Sequence, residues 1–386
     1  MRLPIYTLWT IHSNSFYTIW VLFVRRWQMI TRRHFIQIAG PVVLTPTTLS
    51  NKAMQAKTLP LPQSSSEQQK VNIYVGTQKS CTSKMLQFYK RCGVNHVCGT
   101  PKKWTLEGLL ELKERCSKNG IELVMVPIGV PRSVGLLGNA AHRDRQIEQT
   151  CHQIRLAAKA GIPTIKYNLY VLDVLRTGTT PGRGGSRYST WEYEKAPLKK
   201  SLTKYGEFPA KLFWERISYF LENVIPVATE YKIKMACHPH DPGVPAGGYR
   251  GIERVLGTIN GLKRFIDTVK SPYHGLNFCV GTIASNLHNP SEEIFDVIRY
   301  FGRRKKIFNV HFRNIRGKLD DFQEVYLDEG DIDMFQVLQV LKEVGYSGMV
   351  MPDHIPQHSD DRDGLQGLAF AFGYIKGQIQ ALNSEI

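Results

Sequence analysis

Eight apolar segments with strand character recur along the chain, each followed by a stretch long enough for an amphipathic helix: VNIYVGT (71–77), VNHVCG (94–99), IELVMVPIG (121–129), TIKYNLYV (164–171), IKMACHP (233–239), GLNFCVG (275–281), IFNVHFRN (307–314) and GMVMPDH (348–354). Strands separated by helices pair in parallel, because a parallel connection needs a right-handed crossover long enough to hold a helix. Eight such units are the number that closes on itself, so the spacing predicts an α/β chain folded as a (β/α)8 TIM barrel. Such a barrel takes about 250 residues as one domain, which places a single catalytic domain at 71–386 and leaves 1–70 as an extension. The helix punctuation agrees. TLEGLLELKERCSKNG has Thr105 as N-cap and Gly120 as stop, DMFQVLQVLKEVG opens at Asp333 and ends at Gly345, and a last helix from about Leu368 to Leu382 closes the ring.

Four of the strand segments end in a side chain able to hold a metal: His238, Cys279, His311 and Asp353. A lone strand-end histidine is more often a hydrogen-bonded core residue than a ligand. Four donors at the same end of four successive strands are a different matter, because a barrel gathers those ends around one mouth. Two imidazoles, a thiolate and a carboxylate form a mixed site open to zinc, ferrous iron, manganese or cobalt. Seven cysteines, an odd number without C-x-x-C spacing, do not describe a disulfide scaffold; Cys92, Cys116 and Cys151 fall on helical patterns and read as packing residues.

The net charge of +17 is uneven. Residues 1–70 carry eight Lys/Arg and one acidic residue, leaving 42 basic against 32 acidic side chains, or +10, for the rest. That excess suits a small anionic substrate. It comes with no zinc finger, basic heptad or RNA-binding aromatic signature, so nucleic acid is not the expected partner. Within the extension, Thr31-Arg32-Arg33-His34-Phe35-Ile36-Gln37 followed by an apolar run resembles a twin-arginine export signal, which predicts an exported protein and places the functional start near Met29. The apolar stretch Phe16 to Val24 is too short to span a bilayer, so no stable membrane insertion is expected. Homo-oligomerisation is left open. Two connections are longer than a barrel needs: Leu172 to Pro209, rich in Gly and Arg, and Arg316 to Asp331 beside His311. Loops of that length are lids or disordered segments, and the first is expected to be a lid.

HPHDPG (238–243), NFCVGT (277–282), VHFRN (310–314) and PDH (352–354), with KYNLYVLDVLRT upstream, resemble the mannonate dehydratase family in order and interval over most of residues 71–386. The resemblance implies a xylose-isomerase-like barrel, a Mn2+ or Fe2+ cofactor held by His238, Cys279, His311 and Asp353, and loss of water from D-mannonate to give 2-keto-3-deoxy-D-gluconate. Proton removal beside a carboxylate needs a cation and a placed acid/base. His354, next to Asp353, is the expected acid/base; Arg313, on the same strand face as His311, is the expected clamp for the substrate carboxylate. Asn168, Asp241 and Tyr167 are expected to meet substrate hydroxyls.

The chain also departs from the family pattern. His240 stands where HPDDP has an aspartate, PDH is followed by Ile355-Pro356-Gln357-His358 rather than Gly-Arg and a nearby tyrosine, and no tyrosine appears until Tyr374. GTIASNLHNP, after Cys279, lacks the expected acidic residue. His358 is a candidate for the missing proton-transfer role. Two other readings share these residues: a sugar isomerase or epimerase of the wider xylose-isomerase-like group, and a non-catalytic exported sugar-acid binding protein.

Overall fold

The computed structural model describes residues 72–129, 139–197, 202–203 and 205–384. The 1–70 extension, with its twin-arginine segment, lies outside the described residues. In chain order the strands are β1 (Ile73–Thr77), β2 (His96–Cys98), β3 (Glu122–Pro127), β4 (Thr164–Asn168), β5 (Gly178–Pro181), β6 (Arg187–Glu192), β7 (Lys234–His238), β8 (His274–Cys279), β9 (Ile307–His311), β10 (Ile315–Lys318), β11 (Asp321–Glu324) and β12 (Gly348–Met351). Eight of them close a parallel barrel in the order β1-β12-β9-β8-β7-β4-β3-β2. These are the eight segments read from periodicity, with ends that differ by up to three residues.

Helices alternate with the strands and cover the barrel. The helix Leu106–Lys118 starts where expected, with the Thr105 hydroxyl accepting from the Gly108 N–H at 3.1 Å. Gly120 follows it at φ +67°, a left-handed turn that favours glycine. Asp333 caps Met334–Glu343 through Gln336 N–H at 2.9 Å, and the last helix runs Leu365–Ser384. No helix among the described residues is long and apolar enough to cross a membrane. The seven cysteines are all free thiols.

Two cores result from the alternation of strand side chains. Large residues facing outward, such as Phe278 against Phe301, pack between strands and helices, while Cys98, Met125, Met349 and Met351 fill the barrel interior. Polar residues gather at the strands' C-terminal ends.

The two long connections are not open loops. The first supplies β5 and β6, the second β10 and β11, and together they form one antiparallel sheet in the order β10-β11-β6-β5. Phe322 lies opposite Trp191 across the β11–β6 pair and both are buried, so the sheet has an apolar side of its own. This accounts for the composition of the first connection. Gly184 and Gly185 take positive φ between β5 and β6, and Arg183 forms a two-bond pair with Asp328, at 2.6 and 3.0 Å, tying one connection to the other.

Candidate metal centre and its charge network

The barrel order makes β7, β8, β9 and β12 consecutive neighbours. Cys279 is the register partner of His311, and His311 that of Met351, so Asp353, two residues on, returns to the same face. One donor atom each from His238, Cys279, His311 and Asp353 lies within 4.8 Å of every other. All but the half-buried His238 are buried.

The imidazoles are oriented as ligands would be. His238 Nδ1 lies 2.7 Å from the Pro239 carbonyl, which takes its proton and leaves Nε2 with a lone pair. Burial holds this ring neutral, pushing its pKa down to about 4. His311 Nε2 is 3.1 Å from the Asn277 amide, whereas its buried Nδ1 faces Asp353 Oδ1 at 3.3 Å and has no hydrogen-bond partner. With the Asn277 and Asn309 amides both turned, Asn277 Oδ1 accepts Nε2–H, the otherwise unpartnered Asn309 Oδ1 accepts from Asn277, and His311 Nδ1 keeps its lone pair facing the centre. Thr282 Oγ1 sits 3.1 Å from Cys279 Sγ. This donor set and the orphaned nitrogen fit a divalent cation.

Beside this cluster lies a second one, of Asp241, Glu324 and His354. Arg313 runs through it wholly buried: Nη1 is 2.8 Å from Asp241 Oδ2, 2.9 Å from Glu324 Oε1 and 3.3 Å from Asp353 Oδ2, and Nη2 donates to Thr282 Oγ1 at 2.6 Å. Arg176, from the first long connection, pairs with Asp241 at 3.0 Å and with Glu324. Burial alone would raise the Asp241 and Glu324 pKa values, but the guanidiniums hold both carboxyls below their usual range. Burial likewise opposes ionisation of Asp353, yet the cationic neighbours His354 and Arg313 keep it well below the carboxylate norm.

His354 is half-buried. Its Nδ1 lies 2.7 Å from Glu324 Oε1 and 3.0 Å from Arg313 Nη1. A guanidinium nitrogen cannot accept, so the Nδ1 proton goes to the carboxylate and the Arg313 contact is purely electrostatic. Burial lowers the His354 pKa, but Asp353 and the Glu324 hydrogen bond outweigh it and lift the ring to about 9.

Between these clusters opens a cavity of about 140 Å³, lined among others by Lys166, Asn168, Asp241, His311, Asp353 and His354. The expected contacts of Asn168, Asp241 and His354 with this space are therefore available. Two expectations need correction. Tyr167 lies on the opposite face of β4, fully buried with its ring 5.9 Å from Phe220 in the helix layer, because strand side chains alternate. Arg313 does not line the cavity: its fork is consumed by three carboxylates and a hydroxyl, which leaves it no face for a substrate carboxylate. His240, the departure within HPHDP, is a packing residue with its ring 5.1 Å from Phe213, its Nε2 2.7 Å from the Leu169 carbonyl and its Nδ1 accepting from Leu256 N–H at 3.3 Å. His358 donates to the Gly184 carbonyl at 2.7 Å and lies outside the cavity.

The sequence reading missed Glu324, Arg176, Thr282, Gln78 and Lys166. Glu324 and Arg176 sit in the long connections, where periodicity gives no orientation. Lys166 was legible, since it shares its strand face with Asn168, two residues on. Among the described residues lining the cavity the one phenol is Tyr170.

The family model of D-mannonate dehydratase (UxuA) matches residues 187–385. The mannonate dehydratase of Thermotoga petrophila is 31% identical over 287 residues, covering 65% of this chain and 78% of that protein. That of Geobacillus thermodenitrificans is 31% identical over 322 residues, covering 73% and 85%. Among solved structures, the mannonate dehydratase from Streptococcus suis serotype 2 superposes with a TM-score of 0.69 at 24% identity, covering 80% of this chain and 95% of that one. A xylose isomerase domain protein from Alicyclobacillus acidocaldarius gives 0.56 at 12% identity, over 80% and 98%; these two establish the fold alone. Built on a closed (β/α)8 barrel of the xylose-isomerase-like kind, the chain belongs to the D-mannonate dehydratase family and is a hydro-lyase.

Proposed function

We propose that this protein removes water from D-mannonate, giving 2-keto-3-deoxy-D-gluconate, with Mn2+ or Fe2+ as cofactor. The observation that carries the reading is the convergence of His238, Cys279, His311 and Asp353 within 4.8 Å at the barrel mouth, in a chain of this family. These four side chains would hold the ion, which when bound supplies positive charge to stabilise the anion formed as the carbon acid beside the carboxylate loses its proton.

The remaining work falls to the chain. His354 reaches the cavity with Nδ1–H anchored on Glu324, so Nε2 is the atom free to exchange a proton. As an imidazolium it is suited to protonate the departing hydroxyl, which leaves as water. Asn168, beside His238 in register, offers an amide to substrate hydroxyls. β11 ends in Glu324, which holds His354 Nδ1, and Arg176, two residues before β5, pairs with the same carboxylate, so the antiparallel sheet positions His354.

The test is direct. Purified protein loaded with Mn2+ and given D-mannonate should accumulate a 2-keto-3-deoxy acid; absence of that product, with epimerisation or isomerisation of a ketose in its place, rejects the dehydratase reading. Cys279→Ser removes a thiolate from the donor set, so the dialysed variant should retain less than half of the Mn2+ held by the parent. Equal metal content by elemental analysis would remove Cys279 from the ligand set.

A further inference from the structure

The network at the mouth leaves a recognition problem. Asp241 and Glu324 carry two negative charges, and the two guanidiniums packed on them, Arg176 and Arg313, cancel both. A divalent ion would in turn be balanced by the Cys279 thiolate and the Asp353 carboxylate. Arg254 also faces the cavity, but its fork is used on backbone carbonyls, Asp241 at 2.8 Å and Asp173 at 3.1 Å. His354, also a cation lining the cavity, is set against Glu324 and Asp353 and has its remaining Nε2–H assigned to the departing hydroxyl, so a sugar acid brings a negative charge that none of these groups is free to meet.

Lys166 is. It projects from the middle of β4 on the same face as Asn168, whose register partner is His238, and it lines the cavity half-buried. Its ammonium donates to the amide oxygen of Gln78, and Gln78 in turn donates from Nε2 to Asp353 Oδ1 at 2.9 Å. Among the described residues no carboxylate forms an ion pair with it directly. An ammonium has three N–H donors. One is used on a neutral amide, which fixes the group's place without neutralising it.

We propose that Lys166 is the carboxylate-recognition residue of this cavity, its Nζ pairing with the carboxylate of the sugar acid while Gln78 holds it in register with the metal-ligating Asp353. The proposal rests on the sugar-acid reading above and goes beyond it by assigning substrate charge recognition to a residue on β4 rather than to Arg313. It also gives Gln78 a purpose, because a ligand anchored on Lys166 is placed one amide away from the metal-ligating carboxylate.

The test compares a charged ligand with its neutral counterpart on the Mn2+-loaded full chain. Calorimetric titration with D-mannonate and with D-mannonamide is run on the parent, Lys166→Met and Lys166→Arg, alongside metal analysis and turnover of D-mannonate. A hydrogen bond to a charged group is worth roughly ten- to a hundredfold in affinity. Lys166→Met should therefore weaken D-mannonate by about that factor while leaving D-mannonamide and metal content unchanged, and Lys166→Arg should restore part of the loss. Acid and amide affinities that fall together, or an unchanged affinity for the acid, overturn the proposal even if the parent turns over D-mannonate. A parent that binds hexonates with the expected acid-over-amide preference but forms no 2-keto-3-deoxy product overturns the dehydratase reading and leaves Lys166 standing. A parent that binds neither ligand overturns both.

Discussion

Replacing Arg313 with methionine is expected to destabilise the folded protein by about 3–5 kcal/mol, read as a drop in the urea midpoint at unchanged m-value. The side chain is fully buried and within 3.3 Å of carboxylate oxygens on Asp241, Glu324 and Asp353. Methionine fills much of the same volume, so the loss is electrostatic: three buried carboxylates keep only Arg176 and His354 as cationic neighbours in the second cluster. Adding Asp241→Asn to Arg313→Met should recover part of the loss, since the two positions share one network. A single-variant penalty below about 1 kcal/mol would mean that water or rearrangement satisfies the carboxylates and that the network is not structural. The same geometry explains why Arg313 is unavailable to the substrate. Arg313 is wholly buried and does not line the cavity, so it serves the buried network and is out of reach of an incoming anion.

His354→Gln should lower kcat for D-mannonate by about two to four orders of magnitude, the usual worth of a placed acid or base, while metal content and D-mannonate affinity stay near those of the parent. Glutamine keeps a polar side chain against Glu324 but cannot deliver a proton. A kcat within threefold of the parent would exclude His354 as the acid. The pH dependence has a definite sign. In the site as described, Asp353 and Glu324 raise the folded His354 pKa to about 9, above the usual value of 6.5. The ring therefore contributes stability that is complete below about 6.5 and is lost as pH rises through 9. Activity that needs the imidazolium should fall on the alkaline side. Because Asp353 is also the expected metal ligand, cation binding weakens its hold on His354, and the alkaline limb of the loaded enzyme should lie below 9. An alkaline limb that stays put in His354→Gln would assign it to another group.

The eight strands were legible because a two-residue alternation and a helix-length gap repeat is a pattern that a one-dimensional string can carry, and because caps such as Thr105 and Asp333 act within four residues of their partners. The four donors were legible for the same reason: a residue at the C-terminal end of a parallel strand has its position fixed by the fold class alone. The same logic puts Asn168 and His354 at the cavity, and strand alternation applied to β4 as it was to β9 would have put Tyr167 in the helix layer and Lys166 beside Asn168.

What the chain alone determined is thus everything set by local periodicity and by strand ends: the closed barrel, its mouth, and the identity of the donors that meet there. What only the tertiary structure decided is the pairing of charges across that mouth. Glu324 and Arg176 lie 148 positions apart in two connections without helical or barrel-strand periodicity, and nothing local says that these connections fold into one sheet whose inner strand β11 ends against His354. Ion pairing depends on distances between side chains brought together through the fold, so the division of the cations into Arg313 and Arg176, neutralised in the network, and Lys166, facing the cavity, exists only once the barrel has closed and the sheet lies over its rim.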